Sequence, residues 1–383
     1  MPSIDIDRTQ TMHRFLLFFL LALSSLAHAT GPGPDPFASI RTRLATECAA
    51  GTFSGVVLVR IESRDAFTHA CGQADRVNDA PVTLTTRFKI YSISKFITAL
   101  SVMRLVEEGG MALDAPITDY VTDAPEAWRV VTVEHLLRHT SGIPDLTEDL
   151  TRRFHSDHPA AMRALMSGLA PESAKLRTTP GTQFAYSNFN YELLADAVAH
   201  ASGLPFAELV SSRVFQPAGM KDSSLEAANT IAGHPVSVHE PGLAEGYNGE
   251  PGKLEQALNW SFIQQGAGAV RTTAADFAAL DDALTEGRVV SPATLEKMMG
   301  GPGLAKGYQL GIVARSQDGL RMFGHDGGNN GYISNYQRFP DQHAMLISLS
   351  NLGFSDTWWL NTEVAKILKA GKRKGTEGEK VPG

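Results

Sequence analysis

Cysteine is almost missing from this chain: Cys48 and Cys71 are the two present among 383 residues. They leave room for one bridge at most. A surplus of positive charge is missing as well. Lys and Arg number 34 against 41 Asp and Glu, for a formal net charge of -7. Such a chain has no electrostatic footprint for nucleic acid. No internal repeat of solenoid type is present. Beyond the N-terminus no apolar run reaches the length that spans a bilayer. The G-x-S-x-G elbow of α/β-hydrolases is also absent. What remains is ordinary globular composition, 43% hydrophobic and 20% charged, with length for one large domain or two smaller ones.

The N-terminus carries a targeting pattern. "MHRFLLFFLLALSSLAHA" starts basic at His13 and Arg14, runs apolar from Phe15 to Leu23 and ends in Ala27-His28-Ala29. That is the A-x-A pattern of a cleaved signal peptide over residues 1–29, with a mature chain from Thr30. Residues 1–11 lack this character, which makes Met12 an alternative start. The apolar run is short for a span. The expectation is a periplasmic or secreted protein with no stable membrane span after cleavage. Export also permits a disulfide. Cys48 ends a first helix, over 37–50, and Cys71 ends the second strand of a hairpin, "SGVVLVRIES" and "DAFTHACGQAD". The hairpin returns Cys71 toward the helix end. A bridge and two buried thiols both fit.

From residue 92 to about 264 the pattern is helical and rich in loops. Ser92 to Glu108 is apolar on nearly all sides, which marks a central, buried helix. Gly109-Gly110 ends it. Further helices are expected near 132–138, 158–168, 190–201 and 205–213. After 264 strands return in "GAGAVR", "YQLGIVARS", "LRMFGHDG", "YISNYQRFP" and "HAMLISLSN", with a helix near 273–286 and a last one in "DTWWLNTEVAKILKAG". The predicted fold class is α+β. One antiparallel sheet is built from both chain ends and flanked by helices, with an inserted all-helical region. Residues 30–370 form the domain. Its α/β part is 30–90 plus 265–370, and 91–264 is mainly helical. The charged stretch 371–383 reads as a disordered tail.

Three short stretches carry chemistry. Ser92-Ile93-Ser94-Lys95 has the spacing S-x-x-K, which puts serine and lysine on one helical face. A serine hydroxyl needs a base to become a nucleophile, and a lysine serves only when neutral. Burial and a helix N-terminus favour that state. By itself the motif reads better as a helix start with a capping serine. Tyr186-Ser187-Asn188, in "TQFAYSNFNY", places two polar side chains two residues apart on an extended segment, where both can face one cavity; by itself the stretch reads better as a turn with a buried tyrosine. "FGHDGGNNG" ends a strand in glycines that let backbone N–H groups approach a ligand, as an oxyanion donor requires. It lacks the Gly-Lys-Ser/Thr ending of a phosphate loop.

In this order, the three stretches resemble the serine β-lactamase and penicillin-binding protein superfamily, in its class C-like branch. That branch includes D,D-carboxypeptidases, esterases and D-amino-acid peptidases. "HLLRHTSGIPD", "TPGTQFAYSNFNYELLADAV" and "GAGAVRTTAADFAAL" are similar to strings at matching places in the family. The resemblance covers roughly residues 38–368. It implies Ser92 as the acylated nucleophile and Lys95 as its proton acceptor or tuning group. Tyr186 looks like the proton shuttle. Asn188 resembles the residue that binds the substrate amide and orients Lys95. His325 and Gly327 stand in the K/H-x-G triplet, and the N–H groups of Gly328 and Ser92 would form the oxyanion hole.

One departure is informative. Where many relatives have Lys-Thr-Gly, this chain has His325-Asp326-Gly327. A histidine is charged only below about pH 6.5 unless perturbed. The triplet therefore favours an ester, amide or peptide substrate over a dedicated penicillin-degrading role. The expectation is an exported serine hydrolase acting through an acyl-serine intermediate on a small-molecule or peptide substrate. It implies no metal or organic cofactor. The alternative is a β-lactam or wall-peptide sensor that acylates without efficient turnover. His135 and His139 are spaced like a zinc pair but lack the glutamate of metalloprotease motifs. His155 and His158 read as a solvated loop. Oligomeric state is left open by the sequence.

Overall fold

The computed structural model describes residues 35–153, 158–226, 230–231, 234–235, 240–257, 265–300 and 307–377. The expected signal peptide, His155 and the end of the expected tail lie outside these residues.

Helix α1 (Ala38–Ala49) leads into a hairpin of β1 (Gly55–Ile61) and β2 (Arg64–Cys71). The buried helix α2 spans Ser94–Glu107 and α3 spans Asn188–Ser202. Helix α4 (Ala274–Thr285) precedes a meander of β3 (Val313–Gln317), β4 (Leu320–Asn329), β5 (Tyr332–Phe339) and β6 (Ala344–Ser350). Helix α5 (Trp359–Glu377) follows. The six strands form one antiparallel sheet in the order β3-β4-β5-β6-β1-β2. The two chain ends meet where β1 pairs with β6, Gly55 opposite Ser350 and Ile61 opposite Ala344.

Alternation along each strand builds two cores. Val56 and Leu58 of β1, with Met345, Ile347 and Leu349 of β6, face the large core that contains α2 and α3. Val57 and Val59, with Leu346 and Phe339, face the other side, where α1 supplies Ile40 and Leu44 and α5 supplies Leu360 and Val364. A strand buried on both faces must be apolar at consecutive positions, which is why "VVLV" and "AMLISL" do not alternate. Each such side chain contributes about 1.5–3 kcal/mol by burial.

Cys48 and Cys71 are joined in a disulfide, 23 residues apart in sequence. It ties the last turn of α1 to the end of β2. Closing a loop of that length limits the unfolded chain by about 3 kcal/mol.

Three sequence expectations need correction. The "GAGAVR" stretch forms a strand, Val270–Thr272, but not in the main sheet. It pairs with Phe88–Lys89 and Ser224–Leu225 in a separate three-stranded sheet. Its backbone bonds go to the segment just before Ser92, where Ile90 N donates to Val270 O at 3.1 Å. In "YQLGIVARS" only Val313–Gln317 is strand. Helix α5 runs on to Glu377, into the stretch read as tail. Lys, Arg and Glu there are good helix formers.

Among the described residues no single helix is long and apolar enough to cross a membrane. A pair bent by 80°, α3 with Phe206–Ala218, meets that test jointly. Its apolar residues are packed in the protein core.

Candidate active site

Ser92 lies in a single 3-10 turn, Tyr91–Ile93, that leads directly into α2. The preceding residue, Tyr91, has a φ of 43°. A bulky residue in the left-handed region is strained, and such strain persists only where the surroundings impose it. Here the turn is wedged between the Phe88–Lys89 strand and β4. Gly327 shows how tightly: a Cβ there would sit 2.0 Å from Ile90 O and 2.5 Å from Ser334 Oγ. Ser334 Oγ in turn donates to Ile90 O at 2.9 Å. Glycine at 327 lets β4 approach the Ser92 turn closely.

One turn further on, Lys95 is fully buried. Its Nζ lies 3.1 Å from Ser92 Oγ, 2.8 Å from Asn188 Oδ1 and 3.0 Å from Ala267 O. Tyr186 approaches from the other side, its hydroxyl donating to Ser92 Oγ at 2.9 Å. The Tyr186 ring also covers Lys95, with Nζ 4.9 Å from the ring centre. So Ser92, Lys95, Tyr186 and Asn188 converge. Tyr186 and Asn188 do so differently from the extended segment expected. Ser187 is extended and caps α3 by accepting from Asn190 N, and Asn188 is already the first helical residue.

Burial pushes Lys95 down to about 7, against a pull upward from the carboxylates of Glu192 and Asp145. A substantial fraction of the amine is therefore neutral near pH 7. Burial pushes Tyr186 up to about 12, with the Asp145 and Asp326 charges adding to the rise and its bond to Ser92 opposing it. Its phenol keeps its proton at neutral pH.

His325 departs from a charged arm. It is buried, with Nε2 3.1 Å from Tyr308 Oη and Nδ1 2.6 Å from Asp326 O. Burial, with Lys95 and Arg315 nearby, pushes it down to about 3, against the bond to Asp326 O. Both ring nitrogens are used inside the protein and the ring is neutral. Gly328 is exposed, on the part of β4 that runs past its pairing with β3, which ends at Gly324. Beside it opens a cavity of about 280 Å³, lined in part by Asp326, Gly328, Ser355, Thr357 and Trp358. Burial raises Asp326 to about 6, opposed by Arg315 and Gln337.

The Beta-lactamase family matches residues 41–359. The chain belongs to the Beta-lactamase family. With that family it stands among the serine hydrolases. It is 28% identical over 314 residues to a penicillin-binding protein of Bacillus subtilis (strain 168), covering 78% of this chain and 68% of that one. It is 32% identical over 235 residues to the D-alanyl-D-alanine-carboxypeptidase/endopeptidase AmpH of Escherichia coli (strain K12), covering 56% of this chain and 57% of the relative. The chain thus matches little more than half of that relative's length. Among solved structures, a D-amino acid amidase from Ochrobactrum anthropi SV3 complexed with D-phenylalanine is similar at TM-score 0.72 and 25% identity. That match covers 89% of this chain and 99% of the amidase.

Several site residues of this Beta-lactamase family member carry no short-range signal. Asp145 accepts from the N–H groups of Asn188 and Phe189, at 3.1 and 3.3 Å, and so holds the start of α3. Tyr308 packs its ring 4.6 Å from His139 and bonds His325. His139 sits 4.4 Å from the Tyr186 ring and accepts from Ser187 N at 3.2 Å. It packs against the tyrosine ring and fixes the Ser187 backbone beside it. His135 is spent as well, closing a capping box with Thr132.

Proposed function

We propose that this protein is an exported serine hydrolase that cleaves an ester, amide or peptide bond through an acyl-Ser92 intermediate. One observation carries the reading: Ser92 Oγ lies between Lys95 Nζ at 3.1 Å and Tyr186 Oη at 2.9 Å. A neutral Lys95 takes the Ser92 proton as Oγ attacks the carbonyl carbon. The backbone N–H groups of Ser92 and Gly328 hold the resulting oxyanion. Tyr186, still protonated, gives its proton to the leaving group, and the proton that Lys95 took from Ser92 then returns to the tyrosinate, which resets both groups with Ser92 acylated. Water then enters the leaving group's place and attacks the acyl carbon, its proton passing by way of Tyr186 to the neutral Lys95, and Ser92 Oγ leaves and takes that proton back from Lys95. Asn188 holds the substrate amide and one N–H of Lys95. His325 and Gly327 shape the strand along which substrate lies.

Charge around the site favours a neutral or cationic substrate. His325 is uncharged. Among the described residues that line the cavity beside Gly328 there is a carboxylate, Asp326, and no lysine or arginine. Arg315, against that wall, is engaged by Asp326 at 3.8 Å and lies 4.8 Å over the Trp358 ring, so a penicillin carboxylate there would compete with Asp326 for it. Neutral esters, D-amino acid amides and internal peptide bonds meet no such penalty. The test is a side-by-side kcat/KM series with a p-nitrophenyl ester, D-phenylalanine amide, a peptide ending in D-Ala-D-Ala and benzylpenicillin. The reading expects the first two to lead. Benzylpenicillin as the best of the four would contradict it.

A further inference from the structure

The residues that reach Ser92 leave one buried carboxylate unexplained. Glu192 lies in α3 at 0% exposure. A buried carboxylate persists only when hydrogen bonds replace its water. Glu192 obtains them from three consecutive backbone amides. Its Oε2 accepts from Gln265 N at 2.9 Å and Gly266 N at 3.3 Å, and its Oε1 accepts from Ala267 N at 3.0 Å.

The same short segment is held from its other side. Thr98 of α2 donates through Oγ1 to Gly266 O at 2.7 Å. Gly266 lies directly on α3, where a Cβ would fall 1.9 Å from Tyr191 O. Segment 265–267 is therefore clamped between the two central helices. At its end, Ala267 O accepts from Lys95 Nζ at 3.0 Å.

The geometry decides which way the lysine points. A neutral amine has two N–H groups and one lone pair. Asn188 Oδ1 and Ala267 O are acceptors only, at 2.8 and 3.0 Å, and take both N–H groups. The lone pair is left for Ser92 Oγ, 3.1 Å away. Remove the Ala267 acceptor and the amine is free to turn. We infer that Glu192 is a positioning residue for this reaction. It clips 265–267 so that Ala267 O and Asn188 together aim the Lys95 lone pair at Ser92. The inference rests on the serine-hydrolase reading.

Electrostatics act in the same direction. Glu192 and Asp145 favour the charged lysine, while burial opposes it. The other groups around Lys95 are the rings of Tyr186 and Tyr191 and the histidines His139 and His325. Both histidines are held neutral by burial. Of the two carboxylates, Glu192 is the one bound to the backbone that Lys95 touches.

Glu192→Gln keeps the size, removes the charge and turns an NH2 group toward an amide N–H. The Lys95 titration is followed by NMR of 13C-labelled lysines, with its signal assigned by Lys95→Met. Acylation is followed with p-nitrophenyl acetate. In Glu192→Gln the Lys95 midpoint falls by roughly one unit. The acylation rate above that midpoint falls roughly tenfold or more, with KM little changed. Glu192→Asp, which keeps the charge on a shorter arm, restores the midpoint but not the full rate. A folded Glu192→Gln protein with unchanged midpoint and rate overturns the inference. If that variant does not fold, a Glu192→Asp protein with the full wild-type rate overturns it. Should the wild-type protein fail to acylate, the hydrolase reading falls, and the positioning role in that reaction falls with it. The NMR midpoint of Glu192→Gln then reports separately whether Glu192 acts on Lys95.

Discussion

Two buried basic side chains face each other across this site, and they end in different states. Lys95 is fully buried, yet burial lowers it only to about 7 because Glu192 and Asp145 pull the other way. His325 is as well buried, falls to about 3 and has the Lys95 charge beside it. Its ring nitrogens go to Tyr308 and to the Asp326 carbonyl, so it remains a neutral structural link. Both fall by about the same amount, from 10.5 to about 7 and from 6.5 to about 3, so the lysine's higher starting value decides which of the two titrates near neutral pH. The lysine is therefore placed to exchange a proton there, and the histidine is not.

The largest effect expected from breaking that contrast is at Lys95. Lys95→Met should lower the acylation rate by roughly 10²–10⁴-fold, the usual worth of a positioned base, measured as the pre-steady-state burst with p-nitrophenyl acetate. A variant acylating within tenfold of wild type would remove the lysine from the mechanism. Tyr186→Phe should cost roughly 10²-fold in kcat. The loss should be greater for an amide than for a p-nitrophenyl ester, because only the poor leaving group needs the proton.

The pH profile sharpens the same contrast. In the proposed mechanism the neutral lysine is the active form, so kcat/KM should rise with pH through about 7 and level off above it. Below the midpoint it should fall roughly tenfold per unit. His325 is already neutral across this range, so His325→Gln should leave the midpoint in place. A midpoint that moves with that substitution would make the histidine the titrating group. Smallest is the gain from His325→Lys. It puts an amine in place of a ring that burial keeps neutral, and kcat/KM for benzylpenicillin should rise a few-fold, or about 1 kcal/mol. The added charge also disfavours protonation of Lys95, so the acid limb should move to lower pH. Unchanged penicillin turnover would discredit the charge argument for substrate choice.

The cluster around Ser92 was legible in the sequence where its contacts are short-range. Ser92 and Lys95 are three residues apart, and one turn joins them. Tyr186 and Asn188 were legible through their neighbouring string, although Asn188 begins a helix rather than sitting on an extended segment. Glu192, Asp145 and Tyr308 were not. Each acts across a long loop, as when Glu192 receives amides 73 to 75 residues further along. The fold behaved similarly. Hydropathy marked 266–271 as strand, but apolar alternation does not name the partner strand. The pairing with Phe88–Lys89 follows from the tertiary position of the Ser92 turn. The charge of His325 was beyond composition too, since it depends on how deeply the ring is buried.

The most direct test of an acyl-Ser92 mechanism with turnover is time-resolved intact-protein mass spectrometry during reaction with a p-nitrophenyl ester, wild type beside Ser92→Ala. The account predicts a transient acyl adduct mapped to Ser92, continuing product release over many turnovers, and neither adduct nor release in Ser92→Ala. An adduct elsewhere, full activity in Ser92→Ala, or a Ser92 adduct that never releases product would contradict it.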